Sequence, residues 1–373
     1  MIRTLVLTPD FPPARGGIQL LTERVVVNAG GLRCRVLALG GPGAAEHDRA
    51  SGLDLRRVPL LPGPRPLSTA ALNAAALAEA RAFRPQAVLS SHLVMSPAAA
   101  AIRRFAGVPV VQYFHGKEIG AKPRLARFAA RHADASIAVS SYTRDLVRAA
   151  GGPADRIHLI HPGVDLPSPR PRRERAERPT VVTIARLEDR YKGHDVMVRA
   201  MGLVAARVPA AQWVVIGEGS LRATIAEQAR AAGLGEGMIR FLGAVGDAER
   251  DRWLQRADVF AMPSRLPGGG FAGEGFGIVY LEAGAHGCPT LAGAVGGATD
   301  AVLDGVTGLL VDPADHLAVA DALIALLEDP VRRQALGAAG ARRAESLAWP
   351  RIAAEVETVV GSVLRSVASE QGS

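Results

Sequence analysis

Short β-branched and aliphatic runs alternate along this chain with longer segments rich in Ala, Leu and Arg whose apolar positions recur at helical spacing. The runs predict strands at 2–8, 33–39, 86–90, 108–113, 135–139 and 156–160, and the intervening segments predict helices at 18–30, 67–82, 121–132 and 140–150. A βαβα rhythm of this kind implies a parallel, doubly wound sheet. After the sixth strand come Pro162-Gly163-Val164-Asp165 and a stiff basic linker, Pro167-Ser168-Pro169-Arg170-Pro171. A second series of strands then begins at 180–185 and continues at 212–216, 238–241, 258–261, 288–291 and 307–311. Trp349-Pro350 interrupts the helical pattern that follows, because Pro cannot continue a helix interior, and a last amphipathic helix is expected at roughly 351–368.

Length agrees with this doubling: 373 residues exceed one ordinary domain. An apolar share of 48% supports large cores, and only 4% aromatic residues argues against stacking platforms for single-stranded nucleic acid or polysaccharide. Cys34 and Cys288 form neither a metal spacing nor a disulfide framework, which fits a reducing compartment. The opening residues carry one early Arg and a short apolar strand that runs into Pro9, unlike a signal peptide, and no apolar run reaches membrane-spanning length. A cytoplasmic setting is expected.

Charge is unevenly placed. Residues 1–160 hold 21 Lys and Arg against 10 Asp and Glu, a net of +11, while the remainder holds 23 against 26, a net of −3. The front half therefore faces something anionic, or has an Arg-rich solvated surface. Lys122, Arg124, Arg127 and Arg131 lie on one predicted helix, where a membrane-docking face is one reading and a solvated helix the plainer one. High pI alone points to nucleic acid, but no recognition motif accompanies it, so no nucleic-acid partner is expected.

The candidate chemistry centres on Glu274-Gly275-Phe276-Gly277-Ile278-Val279-Tyr280-Leu281-Glu282, two carboxylates eight positions apart around a glycine turn that opens into a helix. That pattern suits a sugar attached to a nucleoside diphosphate. The glycines allow a close approach, the amides of Ile278 and Val279 become first-turn donors for a diphosphate, and Glu282 lies one turn deeper on the face of Ile278. Glu282 can there accept from ribose hydroxyls, and Glu274 on the loop ahead can hold the sugar. Arg186 and Lys192 follow the first strand of the second series, where phosphate chemistry gathers in such sheets; surface pairs Arg186–Glu188 and Lys192–Asp195 are the alternative. His115 ends a Val-rich strand ahead of Gly116, with Glu118 placed either to orient it or to cap the next segment. Gly16-Gly17, Gly217-Glu218-Gly219 and Gly296-Gly297 are either ligand-approach loops or plain turns. Gly268-x-Gly270-x-x-Gly273 has no strand directly ahead of it and is expected to be a flexible loop beside the donor site. There is no Walker A motif and no Asp-x-Asp for a divalent metal.

With Phe114-His115-Gly116-x-Glu118, Pro162-Gly163-Val164-Asp165, Ala185-Arg186-Leu187, Lys192-Gly193-His194-Asp195, Phe241-Leu242-Gly243 and Ala257-Asp258-Val259 added, these stretches run in one order across nearly the whole chain. Together the set resembles the retaining glycosyltransferases of family GT4, and within them the bacterial phosphatidylinositol-mannoside mannosyltransferases. The resemblance implies a GT-B architecture of the α/β class: two Rossmann-like, doubly wound parallel-sheet domains facing a cleft. Residues 1–165 would bind the acceptor, 166–348 the nucleotide sugar, and 349–373 would form a helix crossing back to the first domain. It further implies that Arg186 and Lys192 bind the diphosphate, Glu282 the ribose and Glu274 the sugar hydroxyls. Phe276, Gly277, Ile278 and Val279 would supply backbone contacts, with Gly217 near the nucleoside, His115 at the reacting face, and Gly16-Gly17 closing on phosphate and acceptor. Thr299-Asp300 stands where many relatives have Pro-Glu, and the gap from Arg186 to Lys192 is one residue longer than the commonest form.

Retention with no evident carboxylate nucleophile implies front-face substitution through an oxocarbenium-like state, the cations replacing a metal; no cofactor and no metal are expected. The donor is expected to be GDP-mannose, with UDP-glucose and UDP-N-acetylglucosamine open. The acceptor is expected to be an anionic lipid at the inner membrane surface, with soluble polysaccharide- or antibiotic-pathway acceptors open. A GT-B-fold nucleotide-sugar epimerase is the rival enzyme, and a non-catalytic sugar-nucleotide binder the rival outside enzymology. Oligomeric state is not legible.

Overall fold

A computed structural model describes residues 1–168, 176–235, 237–266 and 273–371. Most of the basic linker after Pro167, and the glycine loop from Gly268 up to Gly273, fall outside the described residues. The chain divides into two compact units: Met1–Pro162 with Trp349–Ser373, and Gly163–Ala348.

The first unit is built on seven strands: β1 (Ile2–Leu7), β2 (Leu32–Leu39), β3 (Leu55–Val58), β4 (Ala87–Ser90), β5 (Val110–Phe114), β6 (Ala135–Ala138) and β7 (Ile157–Leu159). Every pairing is parallel, in the order β3-β2-β1-β4-β5-β6-β7. Strands covered on both faces bury side chains of either parity, and Leu5, Val6 and Leu7 are all fully buried. Leu72, Ala76 and Phe83 of helix Arg65–Phe83, with Ala98, Ala99 and Ile102 of helix Ser96–Ala106, close a core over Leu5, Leu7, Leu37, Leu39 and Val88. Helix Gly17–Asn28 packs against the terminal helix Trp349–Gln371, which also lies on β5. The Glu357 carboxylate accepts from the Gly31 amide at 2.8 Å and fixes that terminal helix, with Trp349, Val356 and Val360 buried beneath it. Pro350 sits in the helix's first turn, where its missing N–H costs nothing.

One strand and three helices were not expected, the shortest of the helices being Lys117–Ala121. β3 reads Leu-Arg-Arg-Val, an edge strand whose two arginines hide it from a hydrophobic scan. Its Arg57 donates to Asp48 at 2.7 Å and to the Pro12 carbonyl at 2.6 Å, tying down the loop that follows β1. Helix Ala44–Ser51 carries two acids, an Arg and a His and buries only Ala44, and helix Ser96–Ala106 buries chiefly the small residues Ser96, Ala98 and Ala99, so neither writes a core face in large apolar residues.

The second unit repeats the plan with β8 (Thr180–Ile184), β9 (Gln212–Ile216), β10 (Ile239–Gly243), β11 (Val259–Met262), β12 (Thr290–Gly293) and β13 (Gly308–Val311). The order β10-β9-β8-β11-β12-β13 is again wholly parallel, so the topological switch lies between β8 and β11. Val196, Met197, Ala200 and Met201 of helix His194–Arg207 join Leu323 and Leu326 of helix His316–Glu328 over Val181, Trp213 and Val259. At the amino ends of the strands, Asp258 accepts from the Thr180 amide at 2.9 Å and pairs with buried Arg333 at 3.2 Å. Asp258 belongs to one of the resemblance stretches, yet its place at the far ends of the strands makes it structural. Val164 pairs with Ala348, which puts Gly163–Asp165 with this unit.

Candidate functional site

Brändén's rule places ligands beyond the carboxyl ends of parallel strands, at the switch point. In the second unit the segment leaving β8, Ala185–Gly193, meets Pro263–Leu266 after β11 and Gly273–Gly277 there, the Arg265 amide donating to the Tyr191 carbonyl at 2.8 Å. Gly193 lies so close to the Pro263 carbonyl that an added Cβ would stand 2.3 Å from its oxygen. Its φ of +79° also belongs to glycine, so the turn that presents Lys192 tolerates no side chain.

Lys192 and Glu274, 82 positions apart in sequence, form a direct ion pair with side chains only 14% and 13% exposed. Such a half-desolvated pair concentrates charge that water would screen at the surface. The alternative surface pairs do not form: Asp195 is taken by Arg265 at 2.9 Å, and Glu188 caps Ser220, accepting from its amide at 2.8 Å. Arg186 is 69% exposed and reaches only Asp189, at 3.4 Å. It is a loosely held cation beside a fixed one.

Helix Ile278–Ala285 begins at Gly277, whose φ of +90° places it in the left-handed region. Ile278 and Val279 open its first turn, so no earlier helical carbonyl lies in position to accept from their amides. Phe276 is buried, and Tyr280 donates to the Met262 carbonyl at 2.5 Å, anchoring the turn to the end of β11. Gly297 packs beneath that turn: its amide donates to the Glu274 carbonyl at 2.8 Å, and a Cβ would stand 1.9 Å from the Gly275 oxygen. Gly217, at φ +136°, would place a Cβ 2.0 Å from the Ala185 carbonyl. The loop after β9 thus carries the Arg186 segment on its backbone, with the Leu187 amide bonded to the Glu218 carbonyl at 2.8 Å. Backbone contact alone accounts for the glycine at both positions.

Glu282 lies one turn into the helix. Burial pushes its carboxyl above the usual range, Arg250 opposes this, and the charges of Asp251, Asp165 and Asp247 add to it. Arg250 belongs to a segment, Asp247-Ala-Glu-Arg-Asp-Arg, whose charge pattern reads as a solvated helix and offers no signal of a site. His194 entered the sequence reading only as part of a stretch and was given no role there. It is buried, neither ring nitrogen has a hydrogen-bond partner among the described residues, and burial holds it down to about 4.

In the first unit the corresponding strand ends carry histidines. His115 follows β5, stacks on Tyr113 (5.6 Å between centroids, 4° between planes) and places Nε2 2.8 Å from the Ser91 carbonyl. A carbonyl only accepts, so Nε2 carries the proton and, in the neutral ring, Nδ1 keeps a lone pair. Glu118 accepts from the backbone amide of His115 at 2.6 Å, so it caps rather than orients the ring. His92, missed by the sequence reading, follows β4; burial lowers it to about 4, and the Val94 amide donates to its Nδ1 at 3.2 Å. Gly16 and Gly17 lead into helix Gly17–Asn28. Gly16 has extended backbone, and an added Cβ would meet only the movable end of Gln19. Nothing in the fold demands glycine there. On helix Pro123–His132, Arg124, Arg127 and Arg131 point outward while Ala126, Ala129 and Ala130 are buried. Among the described residues no cluster of three or more His, Cys, Asp or Glu stands ready for a metal ion, and no helix is long and apolar enough to cross a membrane.

Comparison with known proteins places these features. Residues 27–167 match the model of Glycosyltransferase Family 4, and residues 178–329 match that of Glycosyl transferases group 1. A GDP-mannose-dependent alpha-(1-6)-phosphatidylinositol monomannoside mannosyltransferase of Mycobacterium tuberculosis is 38% identical over 91% of this chain and 93% of its own. A Corynebacterium glutamicum enzyme described as acting on the monoacylated form of that lipid is 31% identical over 92% and 93%. Among solved structures, Anabaena HepE in complex with UDP superposes with a TM-score of 0.81 at 20% identity, covering 97% of this chain and all of that one. Sucrose-phosphate synthase from Thermosynechococcus elongatus gives 0.80 at 22%, covering 98% and 100%. At those identities the likeness is one of fold, the paired parallel-sheet domains of GT-B glycosyltransferases. With sequence relatives matching almost end to end, the chain belongs to the group 1 glycosyl transferases, family 4.

Proposed function

We propose that this protein is a retaining, metal-independent mannosyltransferase that moves mannose from GDP-mannose to a hydroxyl of a phosphatidylinositol-mannoside lipid at the inner face of the membrane. The observation that carries it is the Lys192–Glu274 pair at the second unit's switch point, beside the opening of helix Ile278–Ala285. In the proposed complex the diphosphate takes Lys192, Arg186 and the amides of Ile278 and Val279. Glu274 turns to the sugar hydroxyls, and Glu282 accepts from the ribose. Gly217 and the backbone from Phe276 to Gly277 line the donor, and Gly16-Gly17 leave room for phosphate.

The step balances without a protein nucleophile. The acceptor oxygen bonds to the anomeric carbon as the bond from that carbon to the phosphate oxygen breaks on the same face. The acceptor's proton passes to the departing diphosphate. Each positioned donor to the developing charge contributes about 10²–10³ in rate. Two cations and a helix terminus can do here what a divalent ion does in other transferases. His115, its Nε2 proton held by Ser91, is assigned to the transfer step rather than to donor binding.

The front unit's net charge and the outward arginines of helix Pro123–His132 support an anionic lipid acceptor. Names of the relatives at 38% and 31% identity support mannose and GDP. The test is incubation with GDP-mannose and phosphatidylinositol monomannoside in EDTA, followed by mass spectrometry and by NMR of the new anomeric proton. An α-linked dimannoside is expected. Transfer only from UDP-sugars, only to soluble acceptors, or only with added metal would overturn the corresponding part, and interconversion of the sugar nucleotide with no acceptor present would make it an epimerase.

A further inference from the structure

The two acids of the donor loop are held in different ways. Glu274 is locked by direct contact with Lys192. Glu282 has a cation close by that does not bond to it: Arg250 Nη1 lies 3.8 Å from Oε1, beyond hydrogen-bond reach. Arg250 is itself fixed from its own helix, Asp247–Arg256, by Asp251 at 3.1 Å and Asp247 at 3.2 Å.

We propose that Arg250 is a positioning residue for donor binding, keeping Glu282 ionised while leaving its oxygens open to the ribose hydroxyls. This rests on the assignment of Glu282 to the ribose. The surroundings make such a group necessary. Glu282 is largely buried, 19% exposed, and the other charges bearing on it are acidic: Asp251 and Asp247 from the neighbouring helix and Asp165 from the segment after Pro162. His286, one turn further on, spends Nδ1 on the Glu282 carbonyl at 2.9 Å and has Nε2 3.9 Å from Asp251, so it faces the backbone and the neighbouring acid rather than the Glu282 carboxylate. Without Arg250, a carboxyl in that company takes up a proton and turns from a pure acceptor into a donor. A neutral acid offers two ribose hydroxyls one acceptor fewer. A closer cation, at the distance found for Lys192 and Glu274, would occupy a lone pair the ribose needs. The 3.8 Å spacing avoids both outcomes.

Calorimetric titration of the full chain with GDP and with 2′,3′-dideoxy-GDP, from about pH 6 to about pH 9, tests this in wild type, Arg250→Lys, Arg250→Met and Glu282→Gln. Each unit by which the Glu282 pKa rises above the working pH cuts the ionised fraction about tenfold. Arg250→Met is therefore expected to weaken GDP about tenfold or more at low pH and to regain it as pH rises, with dideoxy-GDP unaffected. Arg250→Lys should restore binding, Glu282→Gln should abolish the pH dependence, and the double variant should bind no worse than Glu282→Gln. In Arg250→Met the loss should appear in the donor KM more than in kcat, since it lies in uniform binding. Equal loss of GDP and dideoxy-GDP at every pH would overturn the proposal, as would no loss at all. Should Arg250→Met fail to fold, GDP binding by Arg250→Lys as weak as that of Glu282→Gln at every pH would overturn it as well. Wild type binding both nucleotides equally would remove the ribose role of Glu282, and this inference with it. Failure of wild type to bind GDP would instead strike the proposed donor.

Discussion

The two units share one plan and differ in what they place at the carboxyl ends of their strands. Each has a parallel sheet whose order reverses beside its first strand. In the second unit that point holds a half-buried ion pair and a helix opening, on loops whose glycines are demanded by backbone contact. In the first, the loops after β1 and β4 carry a glycine that the fold does not demand and a histidine held neutral, and β5 beside them carries a tautomer-fixed histidine. The fold supplies a place for chemistry, and the residues decide which. On the proposed assignment, the unit that takes the charged diphosphate is the one whose loop glycines are fixed by backbone contact.

The sharpest way to break this contrast is to remove one half of the ion pair. Lys192→Ala should lower transfer by about 10³, and Glu274→Ala by a similar factor. The double variant should lose little more than the worse single, because the pair acts as a unit. Steady-state kinetics with circular dichroism for folding checks this; near-normal turnover of Glu274→Ala would remove the proposed sugar contact. His115→Ala is expected to cost about 10²–10³ in transfer, within the range of acid–base groups, while GDP affinity stays unchanged. A large loss of GDP binding would erase the division of labour between the units.

Glycine substitutions sharpen the comparison at smaller effect. Gly217→Ala must fit a Cβ 2.0 Å from a carbonyl at a φ of +136°, and should cost about 1–3 kcal/mol in denaturant unfolding. Gly16→Ala should change stability by less than about 0.5 kcal/mol yet slow transfer. The reverse pattern would mean that Gly16 is a structural turn. A last effect concerns pH. His92 and His194, one in each unit, have folded values lowered to about 4 from an ordinary 6.5. The unfolded chain then binds the proton first, so stability is present above about pH 6.5 and is lost as pH falls toward 4. Replacing both with Asn should flatten the melting temperature across that window, which differential scanning calorimetry can measure.

Much of this was legible in the sequence, for physical reasons that also mark where legibility ended. Strands buried on both faces write themselves as apolar runs, so twelve of the thirteen strands were found; β3, at an edge and carrying Arg56 and Arg57, was not. Glu274, Glu282, Arg186 and Lys192 stood out because short spacing and glycine turns are local signals. That Lys192 pairs with Glu274 rather than Asp195 is not local: the two loops meet only because β8 and β11 are neighbours in the sheet. Arg250 was missed, and His194 was given no role, for the same reason, since what surrounds them appears only after folding. The glycines of Gly217 and Gly297 were seen, but the carbonyls that exclude a side chain there were not.

The account stands or falls on donor capture by the second unit. Calorimetric titration of the full chain with GDP-mannose in EDTA, beside Lys192→Ala, measures it directly. Binding by the wild type that weakens at least about tenfold in the variant is the expected result, as loss of a charge-assisted contact of roughly 1.5–3 kcal/mol requires. No heat with GDP-, UDP- or ADP-sugars, or equal affinity in both proteins, would contradict it.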